Sequence, residues 1–109
     1  MALVVHQLSL ELITSLRLLM PRISRFDRSL AQQLRRSASS IALNIGEADY
    51  SDPGNRRARF SSAAGSAGET RSALKVACAW DYITPEQAAA PLEQLDSIVA
   101  MLWSLSRQR

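Results

Sequence analysis

The sequence predicts an all-α protein, and three observations support this fold class. Leu, Ala, Ser and Arg dominate the composition, whereas residues typical of strands are sparse, and the 109 residues include only four Gly and four Pro. Apolar residues recur every three or four positions, the spacing that places them on one face of a helix. Turn formers divide this pattern into four segments. We therefore expect one domain, residues 1–109, folded as an up-down-up-down antiparallel four-helix bundle.

The first predicted helix runs from about Val4 to Met20, with its apolar face built on Leu12, Leu16 and their neighbours. Pro21 has no backbone N–H and disfavours helical geometry in the residue before it. We therefore expect this helix to end or kink at Pro21, followed by a short connector as far as Phe26.

The second predicted helix begins after Asp27, whose carboxylate can accept hydrogen bonds from first-turn N–H groups, and reaches about Tyr50. The next five residues, from Ser51 to Asn55, are dense in turn formers and form the clearest boundary in the sequence. This pattern predicts a tight hairpin between the second and third helices.

The third predicted helix spans about Asn55 to Trp80 and contains Gly65 and Gly68. A glycine inside a helix costs about 1 kcal/mol relative to alanine. We therefore expect another backbone to approach the helix closely at these two positions.

The fourth predicted helix starts with Thr84 as N-cap and Pro85 at the first helical position, and continues through Leu105. Pro91 lies inside it. We expect this proline to kink the helix or divide it into two pieces.

Charge is distributed unevenly around a net charge of +3. From Arg17 to Lys75 there are eleven basic and five acidic residues, whereas residues 76–106 contain four acids and no base. Cys78 is the lone cysteine and cannot form an internal disulfide, and no Cys/His cluster offers a metal site. We expect no catalytic residue, metal or cofactor, no signal peptide or membrane span, and a cytoplasmic location.

Two segments resemble a known family. The run from Gln33 to Ala48 is similar to the pattern QLRRAxxSIxxNIAEG, and the run from Gly65 to Glu69 fits GSxxE. Residues 80–83 stand where this family has a Leu-Gly-Tyr-Leu turn. Both motifs are typical of the S23-like four-helix-bundle family encoded in 23S ribosomal RNA intervening sequences, which the chain resembles over nearly its whole length.

The resemblance implies a four-helix bundle, a ring-shaped homo-oligomer that is a pentamer in members of the family, and an association with RNA. A related branch serves as accessory protein to reverse transcriptases of diversity-generating retroelements. Neither branch implies a catalytic site. The chain departs from the family pattern at Gly46 and Ala48, which replace Ala and Gly, and at Asp49-Tyr50, where Gly-Arg is usual.

Polar and small residues form a second stripe on the second helix and face a matching group on the third. Amides and hydroxyls at this spacing can hydrogen-bond across a close helix contact, within the bundle or between subunits. A ligand or RNA contact and plain solvent exposure are the alternatives. The predicted helix-contact motif comprises Gln33, Ser40, Asn44, Glu47, Gly65, Ser66 and Glu69.

Arginines crowd two places. Those at the start of the third helix can pair with Glu47, Asp49 and Asp52 across the hairpin or bind phosphate. Those around the first connector form a basic band without aromatic interleaving, which favours a duplex or folded RNA backbone over stacked single-stranded bases. The predicted nucleic-acid-binding residues are Arg25, Arg28, Arg35, Arg36, Arg56, Arg57 and Arg59.

The leading hypothesis is a non-enzymatic homo-oligomer that binds RNA or a ribonucleoprotein partner. The alternative is a structural or protein-interaction scaffold with no nucleic-acid role. An enzyme is a distant third, because it would need a pocket with converging titratable groups.

Overall fold

A computed structural model of the protein describes residues 2–107, and this part of the chain contains five α-helices and no strand. The all-α class is therefore confirmed. The helices are α1 (Ala2–Arg17), α2 (Met20–Phe26), α3 (Arg28–Ala48), α4 (Pro53–Ala79) and α5 (Pro85–Ser106).

The break near Pro21 was placed correctly, but the connector that we expected after it is wrong. The chain leaves α1 at Leu18 and Leu19 and then re-enters helix as α2, with Pro21 in the first turn. A proline is tolerated there because first-turn N–H groups have no helical partner. In residues 2–107 no single helix has the length and hydropathy to cross a membrane, and α1 and α2 meet those criteria only together, across a 54° bend.

Three side-chain caps begin the long helices that follow. The Asp27 carboxylate accepts a hydrogen bond from the Leu30 N–H at 2.9 Å, which confirms the predicted cap of α3. The Asp52 carboxylate does the same for the Asn55 N–H at 3.0 Å, so α4 starts at Pro53, slightly earlier than predicted. Thr84 and Gln87 form a reciprocal capping box at the start of α5.

Pro91 does not divide α5, and that alternative of the prediction is wrong. Pro85–Ser106 is one helix, with Pro91 buried among its neighbours Ala88 and Leu95. A proline in the second turn removes one backbone hydrogen bond. Its ring is buried, and the apolar contacts made there act against that loss.

The core is shared by all five helices. The contact between α3 and α4 is the most extensive, that between α4 and α5 is next, and α1 lies against both α3 and α5. Phe60, Leu12 and Leu34 are among the largest fully buried side chains, and Ile23 anchors α2 to the same cluster. The molecule measures 43 × 22 × 19 Å, so its long dimension is close to the roughly 40 Å of a 27-residue helix such as α4.

The predicted hairpin between α3 and α4 is confirmed by their contacts. Ser37 meets Thr70, Ser40 meets Ser66, and Glu47 meets Arg59. Residues later in α3 contact residues earlier in α4, so the two helices run antiparallel.

Gly65 and Gly68 do not mark a close approach within the described chain, so the prediction is wrong for contacts inside the bundle. A Cβ built on either glycine would have no atom within 4 Å, and both residues are exposed. The α3–α4 contact passes instead through Ser66 and Thr70, which lie between and beside them on the inner side of α4.

Candidate nucleic-acid interface

A line of hydrogen bonds joins α3 and α4, and three residues of the predicted helix-contact motif, Ser40, Asn44 and Ser66, take part in it. The Thr70 hydroxyl oxygen is buried and lies 2.8 Å from both the Ser37 hydroxyl and the Ser66 carbonyl oxygen. The Ser66 hydroxyl donates to the Ser40 hydroxyl at 2.9 Å, and the Asn44 amide donates to the same Ser40 hydroxyl at 3.0 Å. This polar seam, formed by Ser37, Ser40, Asn44, Ser66 and Thr70, confirms hydrogen bonding across the two helices.

A polar cleft of about 410 Å³ lies above the polar seam. Gln33, Arg36 and Glu69 line it from α3 and α4, and the seam hydroxyls are at its base. The motif therefore divides by position. Ser40, Asn44 and Ser66 join the helices, Gln33 and Glu69 line the cleft, Glu47 belongs to the hairpin, and Gly65 faces open space. The full lining is Ser29, Gln32, Gln33, Arg36, Ser37, Ser40, Ser66 and Glu69.

Two of the three hairpin arginines pair with acids of the preceding helix end. Arg59 lies 2.9 Å from the Glu47 carboxylate, and Arg56 lies 3.9 Å from the Asp49 carboxylate. Arg56 also places its guanidinium 5.2 Å from the centre of the Phe60 ring. The predicted internal pairing is confirmed for these two residues, whereas Arg57 is exposed and forms no ion pair within residues 2–107.

Asp52, the third acid expected in this pairing, serves mainly as a cap. Hydrogen bonds from the Asn55 backbone and side chain lower the pKa of its carboxyl. A lowered pKa favours the charged, capping form, so the cap is present above the ordinary range of an aspartate and is lost as pH falls through the lowered pKa.

The other predicted arginines lie on the outer side of α2 and the first half of α3. Arg25, Arg28, Arg35 and Arg36 are all exposed, and none takes part in the ion pairs of residues 2–107, the third of which joins Arg71 to Asp96 at 3.3 Å. We call these four residues the basic surface.

A hollow of about 360 Å³ lies within the basic surface. Arg28 and Arg35 line it together with Ser24, Ala31 and Gln32. Gln32 also lines the polar cleft, which includes Arg36, so hollow and cleft adjoin along α3. The arrangement offers guanidinium, amide and hydroxyl donors to a phosphate backbone.

A third depression, between α1 and α3, has a different chemistry. This groove of about 290 Å³ is lined mostly by apolar side chains, with Arg17 and Arg35 as its charged members. Sequence reasoning did not find it, because its lining comes from two helices whose relative position is a tertiary property. The apolar members are Ile13, Leu16, Met20, Leu34 and Ala38.

Aromatic rings stand beside the basic surface, and the expectation of a basic band without aromatic interleaving is wrong here. The Phe26 and Tyr82 rings are parallel to within 2°, with centres 5.5 Å apart. Trp80 lies 6.4 Å from Tyr82 at an angle of 18°. The Arg22 guanidinium is 5.6 Å from the Phe26 ring centre. We call Phe26, Tyr82 and Trp80 the aromatic stack.

The turn between α4 and α5 is tied to the start of α3 by polar contacts. One Asp27 oxygen caps α3 and the other accepts the Tyr82 hydroxyl at 3.3 Å. The Arg22 Nε donates to the Tyr82 carbonyl at 2.7 Å. Burial, together with the Asp27 charge and hydrogen bond, raises the pKa of Tyr82.

Asp81 closes α4 in the left-handed conformation, with a φ of 61°. The Asp81 N–H bonds to the Cys78 carbonyl and the Tyr82 N–H to the Ala77 carbonyl, both at 2.9 Å, which is the Schellman pattern. Glycine usually occupies this position, in agreement with the Leu-Gly-Tyr-Leu turn expected from the resemblance. Asp81 therefore places Trp80 and Tyr82 without a glycine.

Chemistry-bearing side chains elsewhere are scattered. Within residues 2–107, no three His, Cys, Asp or Glu side chains come together as metal ligands would. Cys78 is half-buried, and burial and the nearby Asp81 charge raise the pKa of its thiol. A raised pKa keeps the thiol protonated near neutral pH, which is unlike an activated nucleophile.

Fold and surface together define a small all-helical protein with an arginine-rich face and adjoining polar hollows. A family model described as 23S rRNA-intervening sequence protein matches residues 1–104. The chain belongs to this family, as the helix motifs indicated.

A solved structure is also similar to this chain. It is the crystal structure of a protein of unknown function from the S23 ribosomal protein family of Bacteroides thetaiotaomicron. The two chains are 25% identical, the match covers 95% of this chain and 99% of the other, and the TM-score is 0.86. No match was found among curated proteins.

Proposed function

We propose that this protein is a non-enzymatic, homo-oligomeric helical bundle of the cytoplasm that binds RNA or a ribonucleoprotein partner through its basic surface. One observation carries the proposal. Arg25, Arg28, Arg35 and Arg36 are exposed, lie outside the ion pairs of the described chain, and adjoin polar hollows. Phosphate contacts by such arginines provide affinity without base specificity. A role beside a reverse transcriptase, as in the related branch, would use the same surface.

The bundle itself is part of this proposal. We infer that α1, α3, α4 and α5 form the up-down-up-down antiparallel arrangement, with α2 as a short addition. The antiparallel α3–α4 contacts support it. The His6 ring lies near Gly46 while Ile13 and Ala38 share a groove, which supports opposite directions for α1 and α3 as well.

The subunits of the proposed oligomer would form a ring, a pentamer by resemblance to the family. Exposed apolar side chains of α1 support a subunit contact, among them Leu3, Val4 and Leu10. The acidic α5 of one subunit could pack against the basic side of the next, which gives a head-to-tail contact that closes on itself. We expect light scattering in moderate salt to give a multiple of the 12.0 kDa chain mass. A monomer would contradict the ring.

A salt titration tests RNA binding directly. We expect log K for a structured RNA to fall linearly with log salt, and the slope to lose about 1.5 in Arg35→Ala plus Arg36→Ala if each arginine makes one phosphate contact. Absence of binding even at low salt would reject the proposal.

A scaffold without a nucleic-acid role is the alternative, and one observation favours it. Much of the family-like motif forms the polar seam and the hairpin ion pairs, which join α3 to α4. A stable oligomer that fails to bind RNA in the same titration would support this function.

A further inference from the structure

The aromatic stack is unusual in how much ring area it leaves in solvent. Trp80 is 67% exposed and Phe26 is 52% exposed, although both belong to a set of parallel rings. Aromatic side chains contribute most when their area is buried. The exposed ring area therefore has capacity for one more planar group.

We propose that an unpaired base of the bound RNA stacks on the aromatic stack, which then serves as a platform, with Trp80 as the contacting ring. The inference rests on the proposed function, and it adds the substrate class: single-stranded RNA or a loop, in place of a duplex alone. A base presents a flat π-face of the same kind as the rings already stacked. Every base has such a face, so this contact selects for unpaired RNA without reading its sequence.

Charge around the platform fits a base flanked by phosphates. Arg25 and Arg28 stand on either side of Phe26 and Asp27 in the chain, and Arg28 and Arg35 line the hollow. Asp81, next to Trp80, disfavours a phosphate at that point but not an uncharged base.

The platform and the hollow of the basic surface are close enough for one RNA strand to contact both. The short helix α2 contributes to both, since Ser24 lines the hollow and Phe26 belongs to the stack. A helix with its side chains is about 10–12 Å across. Roughly three or four nucleotides, at about 3.4 Å per stacked nucleotide, span that distance.

The platform is also held rigid before any ligand arrives. Asp27 binds the Tyr82 hydroxyl, Arg22 binds the Tyr82 carbonyl, and the Schellman turn holds Asp81. A preorganised surface loses little conformational entropy when it binds. Stacking on it can therefore contribute affinity despite the small contact area.

The fluorescence of Trp80 can itself report RNA binding. In a Trp103→Phe background, Trp80 is the single tryptophan of the chain, and we expect its fluorescence to be quenched as an oligoadenylate of about ten nucleotides binds. Trp80→Ala should weaken that binding about tenfold or more, because stacking on a ring is a large part of single-strand affinity. The salt slope should not change, since no phosphate contact is removed.

Two controls separate stacking from a general loss. Trp103→Ala removes a tryptophan of similar exposure, 60%, near the other end of α5, and should leave oligoadenylate binding unchanged. A fully paired RNA duplex should bind equally to the parent protein and to Trp80→Ala. Trp80→Phe, which keeps a ring, should retain most of the affinity.

Three results would overturn the inference. If oligoadenylate binds but Trp80→Ala does not weaken it, the platform is wrong and the basic surface remains. If Trp80→Ala lowers the mass by light scattering, Trp80 belongs to a subunit contact. If neither oligoadenylate nor duplex binds the parent protein, the proposed function has failed and the platform with it.

Discussion

Two groups of arginines, one at the hairpin between α3 and α4 and one on the basic surface, differ in the acids that lie near them. At the start of α4, Arg56 and Arg59 pair with Asp49 and Glu47 from the end of α3. At the start of α3, Arg28 occupies the first helical position and, within residues 2–107, has no acid within ion-pair distance. Cations at a helix N-terminus are unfavourable by a few tenths of a kcal/mol each.

The comparison separates arginines that serve the fold from arginines available to a partner. The acids at the end of α3 stand at the unfavourable end of that helix too, so pairing across the hairpin relieves both. In the described part of the chain, no acid forms an ion pair with an arginine of the basic surface. A phosphate would supply the missing negative charge there, which is why the two groups should respond differently to RNA.

The largest expected effect is on RNA affinity. At low salt, Arg35→Ala plus Arg36→Ala should weaken binding to a structured RNA by about tenfold or more, because two phosphate contacts are lost. The matched double variant Arg56→Ala plus Arg59→Ala removes the same charge from the hairpin. It should change affinity by about twofold or less, measured by fluorescence anisotropy. Equal losses of RNA affinity in the two double variants would show that the hairpin arginines and the basic surface do not differ in RNA binding.

An intermediate effect is expected on the free energy of unfolding when the polar seam is changed. The seam lies between the hairpin arginines and the basic surface. Ser37→Ala and Thr70→Val should each lower the free energy of unfolding by about 0.5–1.5 kcal/mol, because each removes the hydrogen bond between the two hydroxyls. The remaining hydroxyl keeps a carbonyl partner, that of Ser66 for Thr70 and that of Leu34 for Ser37. The double variant should cost less than the sum of the two, since one interaction is shared. Urea unfolding measures all three, and Ser29→Ala, at an exposed position of α3, is the control.

RNA affinity should stay unchanged in the seam variants. If these variants bind RNA more weakly but unfold at the same urea concentration as the parent, the polar seam contributes to RNA binding. Its assignment to the fold alone is then wrong.

The smallest expected effect is at the α4–α5 turn beside the basic surface. Asp81→Gly should raise the free energy of unfolding by about 0.5–1 kcal/mol, because glycine adopts the left-handed conformation freely. Thermal unfolding measures the gain. Asp81→Asn also tolerates that conformation and should change stability much less. A loss of stability in Asp81→Gly would mean that the Asp81 side chain itself holds the turn.

Local signals in the sequence were sufficient for most helix boundaries. Asp27, Thr84 and the turn formers after Tyr50 act within a few residues of their own position, and each has the predicted role. The error at α2 was local as well. A proline such as Pro21 can mark the end of one helix or the first turn of the next. Here it lies in the first turn of α2, which continues to Phe26.

Long-range juxtapositions could be predicted in part. A short turn between oppositely charged helix ends predicted pairing of the hairpin arginines with nearby acids as one of two alternatives, and Arg56 and Arg59 do form such pairs. The aromatic stack was missed because Phe26 and Tyr82 are far apart in the chain. Their sequence neighbours gave one signal, since Phe26 stands between Arg25 and Arg28.

The sequence by itself determined the helical class, the caps, the family and the uneven charge, because these depend on residue identity and spacing along one chain. Tertiary structure decided which polar residues join helices and which line the cleft. It also decided that Gly65 and Gly68 face open space and that aromatic rings stand beside the arginines. Side-chain contacts between helices depend on how those helices rotate and cross to bury their apolar faces, and no local pattern specifies that rotation.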